Sequence, residues 1–146
     1  MSVDQDRLIP YQPLDLQDPA DLVSAIRKRR GGDLINLDRM LLHSTPIAEG
    51  WNHFVGEIRN NLSLDPKLRE LAMCGVAVLN GAEYEFFHHT PPFIKAGGTE
   101  EQVQALRLIG QPSFPSALFS TIENDAVELT FQMTRNIQVD GALMKR

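Results

Sequence analysis

The apolar residues of this chain recur every three or four positions, and prolines and glycines mark the ends of the resulting segments. This spacing predicts helices, whereas no segment shows the apolar–polar alternation between turns that is typical of strands. We therefore expect an all-α single domain. In chain order, the expected helices are one from Asp18-Pro19 to Gly31-Gly32, a short one at 37–42, and others from Thr45 to Asn60-Asn61, from Asp65-Pro66 to Asn80-Gly81, at 82–95, after Thr99, and at 122–135.

Four details of these helices are specific enough to be tested. Asp18 is expected to be the N-cap of the first helix, with the following proline at its first position. The helix after Asp65 is apolar on every face between Leu71 and Leu79, which predicts that it is buried. Pro91-Pro92 is expected to bend or restart the helix at 82–95, and Trp51 and Phe54 are expected in the core.

The two ends of the chain differ from this helical middle. Residues 1–18 contain two prolines among polar residues and are predicted to form an extended arm, followed by one helical domain at 19–146 with its core at about 40–135. Residues 141–146 look like the start of a further helix, so the chain is either naturally short or part of a longer one. A missing helix would leave apolar surface that self-association could cover.

Composition narrows the classes of function. Of 146 residues, 42% are hydrophobic and 23% charged, as in an average soluble domain. The net charge of −5 disfavours nucleic acid as a partner, and the basic run at 27–30 is interpreted as the favourable charge at a helix C-terminus. Neither a spanning helix nor a secretion signal is predicted, so the expected location is cytoplasmic, with no membrane partner.

The number of cysteines excludes further kinds of site. Cys74 is the single cysteine, which excludes an internal disulfide, a cysteine-based zinc cluster and a two-cysteine redox cycle within one chain. Because it lies in the apolar run of the buried helix, we interpret it as a small core residue.

Candidate chemistry lies between residues 70 and 89. Glu85 and His89 are four residues apart and share a helix face, so the carboxylate can orient the imidazole for acid–base work near neutral pH. The alternative is an exposed ion pair of little energetic value. Glu70 is expected in the first helical turn, where the helix dipole alone would explain it. In one continuous helix Glu70 and Glu85 would lie about 22 Å apart. A break at Asn80-Gly81 would instead fold the helices into a hairpin, so that Glu70 could approach the pair within one chain or across a subunit contact.

Three runs in this region resemble the carboxymuconolactone decarboxylase family, within the alkylhydroperoxidase-like superfamily. They are Leu68-Arg69-Glu70-Leu71-Ala72, Val76-Ala77-Val78-Leu79-Asn80, and Glu83-Tyr84-Glu85 with His88-His89. The resemblance is strong over about 65–110 and weaker from about 20 to 135. It implies an alkylhydroperoxidase-like helical bundle with a central buried hairpin, assembled as a homo-oligomer, either a trimer or a hexamer.

The peroxidase branch of that superfamily has a Glu, then Cys-x-x-Cys, then His. Glu70 and His89 match its outer positions, but the two cysteine positions fall on Ala82 and Glu85. A thiol peroxidase needs a reactive thiolate, so an alkylhydroperoxidase-like antioxidant activity is the disfavoured alternative. It would be supported only if Cys74 were exposed and reactive.

The decarboxylase branch typically has Tyr-Glu with the histidine retained, as here. The resemblance therefore implies a cofactor-free carboxy-lyase acting on a small carboxylated lactone from aromatic-ring catabolism. Its implied catalytic residues are His89 as proton donor and Glu85 or Glu70 as the carboxylate that orients it, with Tyr84 and His88 as candidates for binding the substrate carboxylate. No metal is expected, because a di-iron site would need a second Glu-x-x-His. A non-catalytic binding module on the same fold is the other alternative.

Overall fold

The computed structural model describes residues 8–146, and every regular element in that range is helical. The all-α prediction is confirmed. The chain divides into two compact units, residues 1–63 and 64–146. The predicted arm at 1–18 falls partly on residues 1–7, which lie outside the described residues, and the expected domain boundaries stay a prediction.

The first unit contains α1 (Ala20–Arg30), α2 (Asn36–Leu41) and α3 (Thr45–Asn60). Its small core comprises Val23, Ile26, Leu34, Leu42 and Ala48. Gly31 ends α1 as predicted, at a φ of 75° that favours glycine. The expected cap at Asp18 is wrong. The extended backbone of Pro19 makes that proline the N-cap, so α1 begins one residue later and has no side-chain cap.

The expectation that Trp51 and Phe54 lie in the core is also wrong, since their exposed fractions are 39% and 59%. The face of α3 toward α1 carries short residues instead: Ala48 is buried, and Asn52 accepts a hydrogen bond from Arg29 Nε of α1 at 2.5 Å. Small side chains permit this close approach of α3 to α1, so the large ones face outward together with Ile47.

The second unit contains α4 (Pro66–Leu79), α5 (Glu83–Lys95), α6 (Glu100–Leu106) and α7 (Thr121–Phe131). Helix α4 packs against the other three. The core around it comprises Leu71, Cys74, Ala77, Leu79, Phe86, Phe93, Val103, Ala105, Leu106, Ile109, Phe119 and Val127. The prediction of a buried helix holds for most of α4, although Val76 is 42% exposed.

The ends of these helices follow the sequence signals closely. Asp65 caps α4 by accepting hydrogen bonds from the N–H groups of the two residues after Pro66, and Thr99 and Gln102 form the predicted capping box of α6. The last predicted helix is shorter than expected: α7 ends at Phe131, and a π-helical turn follows at Gln132–Asn136. Within residues 8–146, no helix combines the length and the apolar character that crossing a membrane requires.

Helices α4 and α5 form the hairpin that the site hypothesis required. Gly81 follows α4 with a φ of 65°, a left-handed conformation that turns the chain so that α5 packs along α4. Of the bend or restart expected at Pro91-Pro92, the restart is wrong, because α5 runs through both prolines; the bend stays a prediction. Prolines remove two helical hydrogen bonds, yet their φ is compatible with a helix. Buried Phe86 and Phe93 hold the helix to the core on either side of them.

Candidate active site

Glu70 of α4 and His89 of α5 meet inside the second unit. The distance from His89 Nδ1 to Glu70 Oε2 is 2.7 Å, and Glu70 is only 1% exposed. The two residues are 19 positions apart in sequence, so the turn at Gly81 is what brings them together. A contact this short between an imidazole and a carboxylate is a strong hydrogen bond.

The direction of this hydrogen bond fixes how the imidazole is used. An ionised carboxylate only accepts hydrogen bonds, so beside an ionised Glu70 the donor is Nδ1 of His89. The other ring nitrogen, Nε2, lies 3.5 Å from Oε2 of Glu85, one helical turn earlier on α5. Nε2 is thus the nitrogen at which a proton can be taken up or delivered.

The three side chains differ in access to solvent. The exposed side-chain fractions are 2% for Glu70, 11% for His89 and 45% for Glu85. The inner carboxylate is therefore fixed in the protein interior, whereas the outer one contacts water. The two carboxylates therefore lie in different environments, which the sequence pattern had left open.

Arg69 is a member of this cluster that the sequence reasoning missed. Its Nε lies 3.2 Å from Oε1 of Glu70, and its side chain is 15% exposed. Both oxygens of the Glu70 carboxylate are therefore engaged, one by Arg69 and the other by His89. The only sequence signal was the position of Arg69 directly before Glu70. Helical spacing does not predict the contact, because neighbouring residues on a helix point about 100° apart and only a long side chain can reach back.

The expectation that Glu70 lies in the first turn of its helix is wrong. Helix α4 begins at Pro66, which makes Glu70 its fifth residue, and Asp65 satisfies the free N–H groups at the helix start. The helix dipole acts mainly on the first turn, so it does not explain a buried carboxylate at this position. The contacts of Glu70 to Arg69 and His89 explain the buried carboxylate instead.

Tyr84 and His88, the predicted substrate-binding pair, contact each other. Their ring centroids are 4.4 Å apart at an angle of 58°, and Phe87 lies edge-on to His88 at 5.4 Å. Tyr84 is 40% exposed and Phe87 is 71% exposed. Because they precede Glu85 and His89 by one position each, Tyr84 and His88 lie about 100° around the helix from those two residues.

Cys74 is fully buried one turn beyond Glu70, as predicted for a core residue. Burial, and secondarily the negative charge of Glu70, raise its pKa to about 12, although a hydrogen bond with Thr90 acts in the opposite direction. The thiol is therefore protonated at neutral pH and is not a nucleophile.

Two further observations bear on the kind of site. In the part of the chain that the structure describes, no group of three or more His, Cys, Asp or Glu residues is arranged to hold a metal ion. The family model described as "Carboxymuconolactone decarboxylase family" matches residues 46–119, half of the chain, and this range includes all of the site residues. No curated protein and no solved structure matches the chain.

Proposed function

Because the chain belongs to the carboxymuconolactone decarboxylase family, we propose that it is a carboxy-lyase that decarboxylates a small carboxylated lactone by acid–base chemistry, without a cofactor. One observation carries this proposal: the imidazole of His89 is held by buried Glu70 through Nδ1, so that Nε2 is available as the acid. Fold and family alone leave the reaction open, since related sites on one fold perform different chemistry.

In the proposed reaction, the bond between the substrate carboxylate and the ring carbon breaks, and carbon dioxide leaves. The electron pair of that bond delocalises into the lactone, and the ring carbon then takes a proton from Nε2 of protonated His89. The negative charge of Glu70 stabilises the imidazolium before the transfer, and its fixed position keeps the ring oriented.

Glu85 has a separate role in this proposal. The transfer leaves His89 neutral, so a proton must return to Nε2 before the next turnover. Glu85 lies 3.5 Å from that nitrogen and is nearly half exposed, which suits a group that exchanges protons with water. The assignment gives the inner carboxylate the orienting role and the outer one the role of proton supply.

Tyr84 and His88 are proposed to bind the substrate carboxylate. The Tyr84 hydroxyl is a hydrogen-bond donor, and the His88 imidazole is a donor that also carries a positive charge when protonated. Their rings contact each other at an angle of 58°, which reduces their freedom to move. Removal of either side chain is expected to raise KM more than it lowers kcat.

We also propose that the protein is a homo-oligomer, with a trimer or a hexamer as the sizes implied by the family. The observation in support is the outward stripe of Ile47, Trp51 and Phe54 along α3, which exposes three large apolar side chains. Light scattering of Trp51→Ser with Phe54→Ser tests this. We expect a lower molar mass than for the wild-type protein, and an unchanged mass would reject this face as the contact.

The decisive experiment is spectrophotometric turnover of γ-carboxymuconolactone, with a metal chelator present in every assay. His89→Gln is the variant to compare, since its amide can still donate a hydrogen bond to Glu70 but cannot transfer a proton. We expect kcat to fall by about 10²- to 10⁴-fold, as is usual when a general acid is lost. His53→Gln, which changes an exposed histidine on α3, is the matched control and should retain full activity.

The possible outcomes of this experiment test the reaction and the role of His89 separately. Turnover that disappears only in His89→Gln supports both the reaction and the role of the imidazole. Equal turnover in wild type and His89→Gln would reject the histidine as the acid. No turnover by folded wild-type protein would overturn the decarboxylation of this lactone and favour a non-catalytic binding module.

A further inference from the structure

Arg69 has a role that neither the family resemblance nor the sequence pattern assigned. We propose that Arg69 is a positioning residue: it keeps Glu70 as an ionised hydrogen-bond acceptor, which holds the proton of neutral His89 on Nδ1 and leaves Nε2 open. This inference rests on the proposed acid–base function of His89, but it concerns the resting state of the site and can be tested without substrate.

The geometry shows how Arg69 acts through Glu70. Oε1 of the carboxylate lies 3.2 Å from Nε of Arg69, while Oε2 lies 2.7 Å from Nδ1 of His89. Contacts at both oxygens fix the plane of the carboxylate as well as its position. The exposed fractions of the Arg69 and Glu70 side chains are 15% and 2%, so water screens this ion pair poorly.

The charge on Arg69 matters because a buried carboxylate is costly unless it is paired. Without a cation beside it, Glu70 could instead be protonated and would then have a hydroxyl that donates to His89. Nδ1 would become the acceptor, and the proton of neutral His89 would move to Nε2. That tautomer has no lone pair at the outward nitrogen, so it cannot accept the proton that makes His89 an acid.

The residue type fits this role better than a lysine would. A guanidinium stays charged at any pH a folded protein tolerates, whereas a lysine can lose its proton when buried. Two further titratable groups lie beside this pair: Glu85, 3.5 Å from Nε2 of His89, and Cys74, which lies near Glu70 and is protonated. Neither of these two groups is a cation.

The test measures the tautomer of His89 directly, by long-range ¹H–¹⁵N NMR of the full-length protein at a pH where the ring is neutral. In the wild-type protein we expect a protonated Nδ1 and an unprotonated Nε2. In Arg69→Met, which keeps an apolar stem but removes the charge, we expect the unprotonated signal to move to Nδ1 in a large fraction of molecules. Arg69→Lys, which keeps a cation, should restore the wild-type pattern at least in part.

Lys67→Met is the matched control. It removes one positive charge from the same helix two residues earlier, but the ammonium of Lys67 pairs with Glu123 of α7 at 2.5 Å rather than with Glu70. We expect the tautomer of His89 to be unchanged. In turnover assays, Arg69→Met is expected to lower kcat by up to about 100-fold with little change in KM, because a misoriented acid affects the chemical step.

Three results would overturn the proposal. They are a wild-type protein whose neutral His89 carries its proton on Nε2, a folded Arg69→Met with the wild-type tautomer, and the same change of tautomer in Lys67→Met and Arg69→Met. The wild-type spectrum tests the expected tautomer of His89 even if Arg69→Met does not fold. A shift specific to Arg69→Met in a protein that turns over no lactone would support the positioning role while rejecting the proposed substrate.

Discussion

Each unit of the chain contains a carboxylate that is 1% exposed, and the two carboxylates are held in different ways. Asp38 in the first unit accepts hydrogen bonds from Nε and Nη2 of Arg30, both at 2.9 Å. It also accepts from Arg29 at 3.4 Å and from the backbone N–H of Ile35 at 3.1 Å. Neither arginine changes its charge near neutral pH, so this cluster has one protonation state.

Glu70 in the second unit is held by one arginine and one imidazole. An imidazole is the side chain best suited to proton exchange near neutral pH, and the second nitrogen of His89 lies 3.5 Å from Glu85. Equal burial therefore does not mean equal function. A buried carboxylate held by arginines and a backbone N–H stabilises a fold, whereas one held in part by an imidazole can support proton transfer.

The largest effect on stability is expected from Asp38→Asn. The change leaves Arg29 and Arg30 without their buried counter-charge, and breaking a pair of this kind costs about 3–5 kcal/mol. Chemical denaturation followed by circular dichroism measures the loss. Turnover per folded molecule should stay near the wild-type value.

Asp33→Asn is the control for that measurement. Asp33, which follows α1 in the chain, pairs with Arg27 of α1 at 3.0 Å. The Asp33 side chain is 91% exposed, and ion pairs on the surface contribute little to stability. We expect Asp33→Asn to be much less destabilising than Asp38→Asn. If the two variants lost the same stability, the cluster around Asp38 would not have the structural role argued above.

Glu70→Gln is expected to lower turnover more than stability, which is the reverse of the effect expected for Asp38→Asn. The variant keeps a side chain of the same shape but loses the charge opposite His89, so the imidazolium is no longer stabilised, and kcat should fall by about 100-fold. The loss of stability should be smaller than for Asp38→Asn, because one arginine rather than two loses its counter-charge. Steady-state kinetics and chemical denaturation of Glu70→Gln and Asp38→Asn measure the loss of turnover and the loss of stability in each variant. A stable and fully active Glu70→Gln would contradict it.

The sequence was a good guide to the fold wherever helix-end signals are local. Asp65, Gly81 and Thr99 act through hydrogen bonds or φ angles that involve residues a few positions away, and the helices begin or end there as predicted. Predictions that depended on packing were weaker. Trp51 was expected inside because it is apolar, but which face of α3 is buried depends on what α1 presents to it.

The site was predictable in part for the same reason. Spacing placed Glu85 and His89 on one face of a helix, and the signal at Asn80-Gly81 made the approach of Glu70 possible. The contact of Arg69 with Glu70 could not be predicted, because it depends on the path of a long side chain. The different roles proposed for Glu70 and Glu85 depend on their burial, which cannot be read from the spacing of residues in the sequence.

A smaller effect is expected from Glu85→Gln, which tests the exposed end of the site. Proton return to His89 then depends on water alone, so kcat should fall by about tenfold, with the loss greatest at high pH, where protons are scarce. Stability should change by less than about 0.5 kcal/mol, because the side chain is nearly half exposed.

Glu83→Gln is the control for Glu85→Gln. It removes the same charge from the same helical turn, but Glu83 pairs with Arg107 on the surface at 3.2 Å. The dependence of kcat on pH should be unchanged in this variant. If Glu83→Gln and Glu85→Gln altered the pH profile equally, the effect would come from the charge of the helix start rather than from contact with His89.

The smallest effect on turnover is expected from Cys74→Ala, and this variant asks whether sulfur takes part in the chemistry at all. Cys74 is fully buried and its pKa is raised to about 12, so the wild-type protein should resist alkylation when native and take up one label when unfolded. Lactone turnover should persist in Cys74→Ala. Rapid labelling of the native protein, or a peroxide-reducing activity that the variant loses, would instead favour the antioxidant alternative.

The raised pKa of this thiol also predicts how stability changes with pH. Above about pH 9, the ordinary pKa of the group, the unfolded chain releases the thiol proton while the folded protein retains it. The free energy of unfolding should therefore fall as pH rises from 9 toward 12, by at most about 1.4 kcal/mol per pH unit from this group. Cys74→Ala lacks this contribution, so the difference in stability between the two proteins should change across that window and stay constant below it. A constant difference throughout would show that the thiol titrates alike in both states, and that Cys74 is more accessible than its burial beside Glu70 implies.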